Sequence, residues 1–202
     1  KQYIEDVSLV ELNPGVVEAI GQFGQPGLFS GVDITINDAR NHLFLTNRKY
    51  DIIASTPSYP AEAGSGRLFT REMFELAADR LSDGGVYSQW VPTYLLNKED
   101  GNILLKTFHL AFPYVYVMHV ELNSDLIFIG SRERFRFSSD EIADRVAGLN
   151  DEGLKLGYST LMTPDEVSSF LAENREIKVN TDDLPILEFK VARRLVAGLQ
   201  GE

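Results

Sequence analysis

One stretch, Tyr50–Phe69 (YDIIASTPSYPAEAGSGRLF), limits the folds open to this chain most sharply. It begins with a short apolar run, Ile52, Ile53 and Ala54, whose lack of polar alternation predicts a buried strand. Pro57, Pro60, Gly64 and Gly66 then end the run, because Pro and Gly do not continue a central strand. Thr70 follows as the expected cap of a helix over Thr70–Leu81, where Met73, Ala77 and Leu81 share one face beside Phe74 and Ala78. Strand, Pro/Gly loop and helix make the βα unit of an open α/β sheet, whose ligands sit at the carboxyl ends of the strands. A site is therefore expected around Thr56–Gly66.

The flanking sequence repeats the pattern. Val7–Leu12 reads as a strand ending at Glu11, and Asn13, Pro14 and Gly15 lead into a helical run, Val16–Ile20. An acidic residue at such a place can accept from both ribose hydroxyls of a nucleotide, and Glu11 equally reads as an exposed loop residue. Gly21–Gly31 is glycine-rich but follows a helix instead of opening one, so it is no dinucleotide fingerprint. Val32–Asn37 reads as a second strand and Ala39–Thr46 as a short helix. Asp38 between them can face an adenine amino group or simply cap the helix.

After the central unit, Asp83-Gly84-Gly85 is expected to end the helix and Val86–Val91 to form a strand stopped by Pro92. Gln89, Trp90 and Tyr94 cluster at its end, Trp90 reading as core more often than as a platform and Tyr94 as able to line a pocket. A helix over Asn97–Ala111 precedes two strands, Tyr114–Leu122 and Leu126–Ser131, joined in an antiparallel hairpin through Asn123-Ser124-Asp125. Ser139–Leu149 reads as a helix, and Thr163-Pro164-Asp165-Glu166 as a capping box opening another. The alternation predicts an α/β fold with a mainly parallel sheet, a C-terminal antiparallel hairpin at its edge and extra C-terminal helices. With 202 residues and no long linker, a single domain is expected, 1–135 forming the sheet core and 136–202 a helical extension and tail.

Composition excludes several function classes. A net charge of −11 argues against a phosphate backbone, so no nucleic-acid partner is expected. The absence of Cys removes disulfides, thiolate metal sites and a Cys nucleophile. His42, His109 and His119 are isolated and Asp182-Asp183 reads as a turn, so no metal site is expected. Gly64-Ser65-Gly66 is not a nucleophile elbow. No apolar run approaches the ~18 residues of a membrane span.

The segment YDIIASTPSYPAEAGSGRLFTREMFELAADRLSDGGVYSQWVPTY resembles the central part of the spermidine synthase-like proteins, which share the Rossmann-like class I S-adenosylmethionine-dependent methyltransferase fold. The Leu-Phe-Thr-Arg-Glu start at Leu68–Glu72 and the Asn-Thr-Asp-Asp-x-Pro tail at Asn180–Pro185 resemble the bacterial branch often fused to membrane segments. The likeness runs from Val7 to Phe189 and is most specific over Tyr50–Tyr94 and the tail.

This resemblance implies aminopropyl transfer from decarboxylated S-adenosylmethionine to a diamine. It places the ribose on Glu11 and the adenine on Asp38 with Ala39 beside it, and puts the polyamine chemistry in the loop after Ser55. Ser58, Gln89 and Tyr94 are then expected at the acceptor. Family members carry Asp at two loop positions that here hold Thr56 and Tyr59. Neither is a base near neutral pH, and Glu62 replaces them only if the loop is rewired, so efficient spermidine synthesis is not expected. A small-molecule methyltransferase using S-adenosylmethionine, or a non-catalytic domain, are the alternatives. Homodimer pairing, a cytoplasmic location and an upstream membrane segment in the parent protein are further implications. The family's first strand and its Gly-rich loop belong upstream of Val7, where only Lys1–Asp6 stand. An N-terminally truncated domain is therefore expected; a second chain in the gap, or strands closed over it, stay open.

Overall fold

The computed structural model describes residues 4–23, 29–62, 64–94, 96–120, 125–136 and 158–199. The chain divides into two compact units, Lys1–Asn47 and Arg48–Glu202.

The first unit is built from β1 (Val7–Glu11), α1 (Pro14–Phe23), β2 (Val32–Ile36) and α2 (Ala39–Leu45). β1 and β2 pair in parallel, with Val7 opposite Val32 and Glu11 opposite Ile36. Parallel neighbours need a crossover, which α1 supplies. Pro14 takes its first position and the Asn13 side chain accepts from the Gly15 N–H at 2.9 Å. The helix runs on to Phe23, beyond the expected Val16–Ile20. Asp38 caps α2, accepting from the Asn41 N–H at 2.8 Å.

The second unit contains β3 (Tyr50–Ser55), a 3₁₀ turn (Ser65–Phe69), α3 (Arg71–Asp79), β4 (Leu81–Val91), α4 (Lys98–Ala111), β5 (Tyr114–Val120), β6 (Leu126–Ser131), β7 (Tyr158–Met162), α5 (Pro164–Glu173) and α6 (Ile186–Leu199). Its five strands lie in the order β3-β4-β6-β5-β7. β3 and β4 are parallel; β4–β6, β6–β5 and β5–β7 are antiparallel. The α/β fold is thus mixed where a mainly parallel sheet was expected. The hairpin is not a plain edge either, because β6 slots between β4 and β5 and β7 extends the far side.

Several local expectations change for identifiable reasons. Ile52 is 61% exposed instead of buried, because it stands on the open face of β3, which is also an edge strand. Ile53 and Ser55 pair with Tyr87 and Gln89 on the covered face, while Ile52 and Ala54 fall on the other. The Thr70 hydroxyl makes no cap to α3; it lies 2.8 Å from Asp182 Oδ1 and 3.1 Å from the Arg67 carbonyl. Helix α3 stops at Asp79, and Asp83-Gly84-Gly85 form a bulge inside β4, where Leu81 faces Tyr50 and Val86 faces Ile52. Gly84, at φ 71°, makes that detour in a conformation other residues resist. The stretch expected to hold only helices and a tail contributes β7. The expected helix Ser139–Leu149 and the hairpin residues Asn123 and Ser124 lie outside the described residues.

The core of this unit is aromatic. Phe74 meets Phe108 edge-on at 5.0 Å, and Tyr87 lies parallel to Phe112 at 5.3 Å. β6 leaves room for these rings at Gly130, where a Cβ would stand 2.6 Å from both Phe108 Cε1 and Phe112 Cβ.

Buried Asn180 ties four elements together. Its N–H donates to Thr107 Oγ1 of α4 at 2.9 Å, and its side-chain amide donates to the Phe69 carbonyl at 3.0 Å. Its Oδ1 accepts from Leu187 N–H in α6 at 3.1 Å, and its carbonyl accepts from Arg71 N–H in α3 at 2.9 Å. Asn180→Ala leaves the Phe69 carbonyl and the Leu187 N–H buried without partners, at a cost of roughly 2–4 kcal/mol. Urea unfolding should show a lower midpoint with an unchanged slope; an unaltered midpoint would remove this residue from the account of the fold.

Candidate functional site

Each unit presents a pair of adjacent parallel strand ends, the place where α/β sheets bind ligands. In the first unit Glu11 is the last residue of β1. Its Oε1 accepts from Asn13 N–H at 2.8 Å, which holds the carboxylate at the strand tip. Its carbonyl accepts from Asn37 N–H at 3.0 Å, binding the tip of β2 to that of β1. Asn37 Oδ1 in turn accepts from Asp38 N–H at 2.8 Å, so Glu11 and Asp38 stand on neighbouring tips. Both side chains are half-buried. Among the described residues, Glu11 Oε2 and Asp38 Oδ2 make no hydrogen bond, so each carboxylate is oriented by one oxygen and offers the other. Ala39, half-buried beside Asp38, adds no polar group.

In the second unit the loop after β3 carries Thr56 and Ser58 on its exposed side, with Pro57, Tyr59 and Pro60 buried. Tyr59 is 8% exposed, and its ring lies parallel to Tyr94 from the loop after β4, at 6.0 Å and 14°. Tyr94 is 66% exposed. Ser58 Oγ is 3.3 Å from Ser65 Oγ across the loop. The loop closes through Glu62 N–H to the Tyr59 carbonyl and Gly66 N–H to the Glu62 carbonyl, at 3.1 and 3.2 Å.

Gln89 is placed differently from its expected acceptor role. It is fully buried, its Oε1 accepts from the Tyr87 hydroxyl at 3.1 Å, and its Nε2 donates to the Trp90 carbonyl at 2.9 Å. Burial drives the Tyr87 hydroxyl pKa far upward, against a smaller opposing effect of a hydrogen bond from Ser55, so this phenol stays protonated. The Ser55–Tyr87–Gln89 chain braces the tips of β3 and β4 from within.

Two residues that sequence reasoning passed over belong to this region. Buried Asp125 accepts from Trp90 Nε1 at 3.1 Å and from Thr93 N–H at 3.2 Å, which anchors the segment leading to Tyr94. The sequence offered it only as a turn residue. Glu188 of α6 lies against the loop: a Cβ on Gly66 would stand 3.1 Å from its Oε2 and 2.6 Å from the Pro60 carbonyl. It stands three residues after the tail motif, and its reach across 122 positions was not visible in the sequence. Among the described residues no cluster of three or more His, Asp or Glu is placed to hold a metal, and no helix is long and apolar enough to cross a membrane.

Residues 2–130 match the family model of the spermine/spermidine synthase domain. No curated protein matches the chain by sequence. A probable spermidine synthase from Corynebacterium glutamicum superposes with a TM-score of 0.60 at 20% identity, covering 87% of this chain and 63% of that one. Spermidine synthase from Thermotoga maritima gives 0.56 at 18% identity, covering 82% and 56%. Human methyltransferase-like protein 13, in complex with SAH, gives 0.55 at 17% identity, covering 69% and 67%. The chain thus spans less than two thirds of the length of the two synthases, and the structural likeness shows the Rossmann-like methyltransferase fold. With the family model matching more than half of its residues, the chain belongs to the spermine/spermidine synthase domain family.

Proposed function

We propose that this chain carries the nucleoside-binding and amine-binding parts of an aminopropyltransferase-type enzyme that uses decarboxylated S-adenosylmethionine. The observation that carries this reading is the pair of oriented carboxylates, Glu11 and Asp38, on adjacent parallel strand tips, each with one oxygen held by a backbone N–H. A carboxylate so held accepts from the two ribose hydroxyls at Glu11 and from an adenine amino group at Asp38, with Ala39 alongside. Their one-sided engagement supports a neutral, donor-rich ligand such as a nucleoside.

In the reaction the acceptor nitrogen forms a bond to the propyl carbon as that carbon's bond to sulfur breaks. The electron pair goes to sulfur, giving methylthioadenosine, and the nitrogen sheds a proton. The loop after β3 is the amine side of this reading, with Thr56 and Tyr59 at the positions of the family's aspartates and Ser58 and Tyr94 beside them. Thr56 and Tyr59 do not take that proton near neutral pH, so turnover with a diamine is slow. Glu62 stands in this loop, and Glu188 Oε2 approaches it at Gly66.

Calorimetric titration with methylthioadenosine tests the nucleoside half. Binding should weaken about tenfold to a hundredfold in Glu11→Gln, as expected for lost hydrogen bonds to a charged acceptor. Asp38→Asn, which keeps the helix cap, should weaken it less. Absence of binding to the folded protein would leave a non-catalytic domain as the reading. Binding of S-adenosylmethionine in preference to its decarboxylated form would point to methyl transfer, which relies mainly on positioning.

Thr56 is exposed, so Thr56→Asp adds a carboxylate without burying it. Release of methylthioadenosine with putrescine should then rise at least about tenfold, the low end of what a general base supplies being ~10². An unchanged rate would remove Thr56 from the acceptor site.

A further inference from the structure

We propose, resting on the aminopropyl-transfer reading above, that the acceptor is an amine bearing an aromatic ring and that Tyr94 selects it. Tyr59 and Tyr94 form a parallel pair, 6.0 Å between ring centres and 14° between planes. The inner ring is fixed: Tyr59 is 8% exposed and sits between Pro57 and Pro60, which are also buried. The outer ring is open, with Tyr94 66% exposed, so it is backed by Tyr59 and presents surface outward. The segment that carries it is anchored through Trp90 and Thr93 to buried Asp125.

Such a ring extends its stack to a ligand ring at little ordering cost, because the protein side is already in place. The same stretch works against a short dication. From Thr56 to Pro60 it offers two hydroxyls, two prolines and a phenol, and no carboxylate. A second ammonium entering there forms no ion pair in that stretch, and its dehydration is uncompensated. A single ammonium is better served, since Thr56 and Ser58 hydroxyls accept from it and Glu62 and Glu188 supply negative charge at the far arm of the loop. One charged end and one flat apolar end describe an arylalkylamine.

The probes are tyramine and putrescine, titrated separately into the protein saturated with methylthioadenosine. Tyramine should bind at least tenfold more tightly. Tyr94→Ala should weaken tyramine roughly three- to tenfold, the range a ring–ring contact supplies, and reduce its advantage over putrescine by the same factor. Tyr94→Phe should keep both. Tyr94 is exposed, so neither variant threatens the fold, and unchanged methylthioadenosine binding verifies that each is intact. Equal or tighter binding of putrescine, indifference of tyramine to Tyr94→Ala, or binding of neither amine by the nucleoside-loaded protein overturns the proposal while leaving aminopropyl transfer standing. Failure of methylthioadenosine itself to bind overturns both.

Discussion

The second unit depends on one buried amide. Asn180 has four polar groups on its backbone and side chain engaged, each by a different element: α4, the 3₁₀ turn, α3 and α6. An unpaired polar group in that position would cost more than a paired one contributes, so the arrangement is closed: four partners or a large penalty. Asp182 adds to the clasp by accepting from Thr70 Oγ1 and donating its N–H to Glu72 Oε2, at 2.8 and 2.9 Å. The tail motif therefore sets where α3 begins, and with it the far end of the loop that starts at Thr56.

Much of this order was legible in one dimension. The apolar run at Ile52, the proline and glycine punctuation after it and the alternation of strand and helix give the βα units and their loops. What was hidden depended on distance in space. Ile52 looks buried by composition, yet only the folded sheet reveals that it stands on the open face of β3. Thr70 looks like a helix cap, yet Asp182, 112 residues away, lies within reach of its hydroxyl. Tyr158–Met162 has the length of a strand but too few alternations to stand out, and it becomes one only because β5 offers an edge.

The candidate site divides in the same way. Glu11 and Asp38 were visible because strand-end carboxylates before helices form a local pattern, and the structure places them on adjoining tips. Gln89 was singled out by its position at a strand end, but the side of the strand it occupies is decided by pairing with Ser55, and that side is interior. Glu188 and Asp125 could not be found locally, since each touches a loop far away in the chain. In the proposed reading, the carboxylates of the first unit serve a nucleoside, and the hydroxyls and rings after β3 in the second serve an amine.

The hydrogen-bonded chain from Ser55 through Tyr87 to Gln89 has a mechanical consequence. Parallel strands can in principle slide past each other in steps, since the ladder repeats. Here a polar thread crosses the β3–β4 boundary inside an apolar layer, with Ser55 directly opposite Gln89. Any slip would part the Ser55 hydroxyl of β3 from the buried Tyr87 phenol of β4, which Gln89 holds in place from within the same strand. The two loops that leave these strands are thus held in one relative offset, and the stacked rings at their tips inherit that offset as a ruler inherits the zero of its scale.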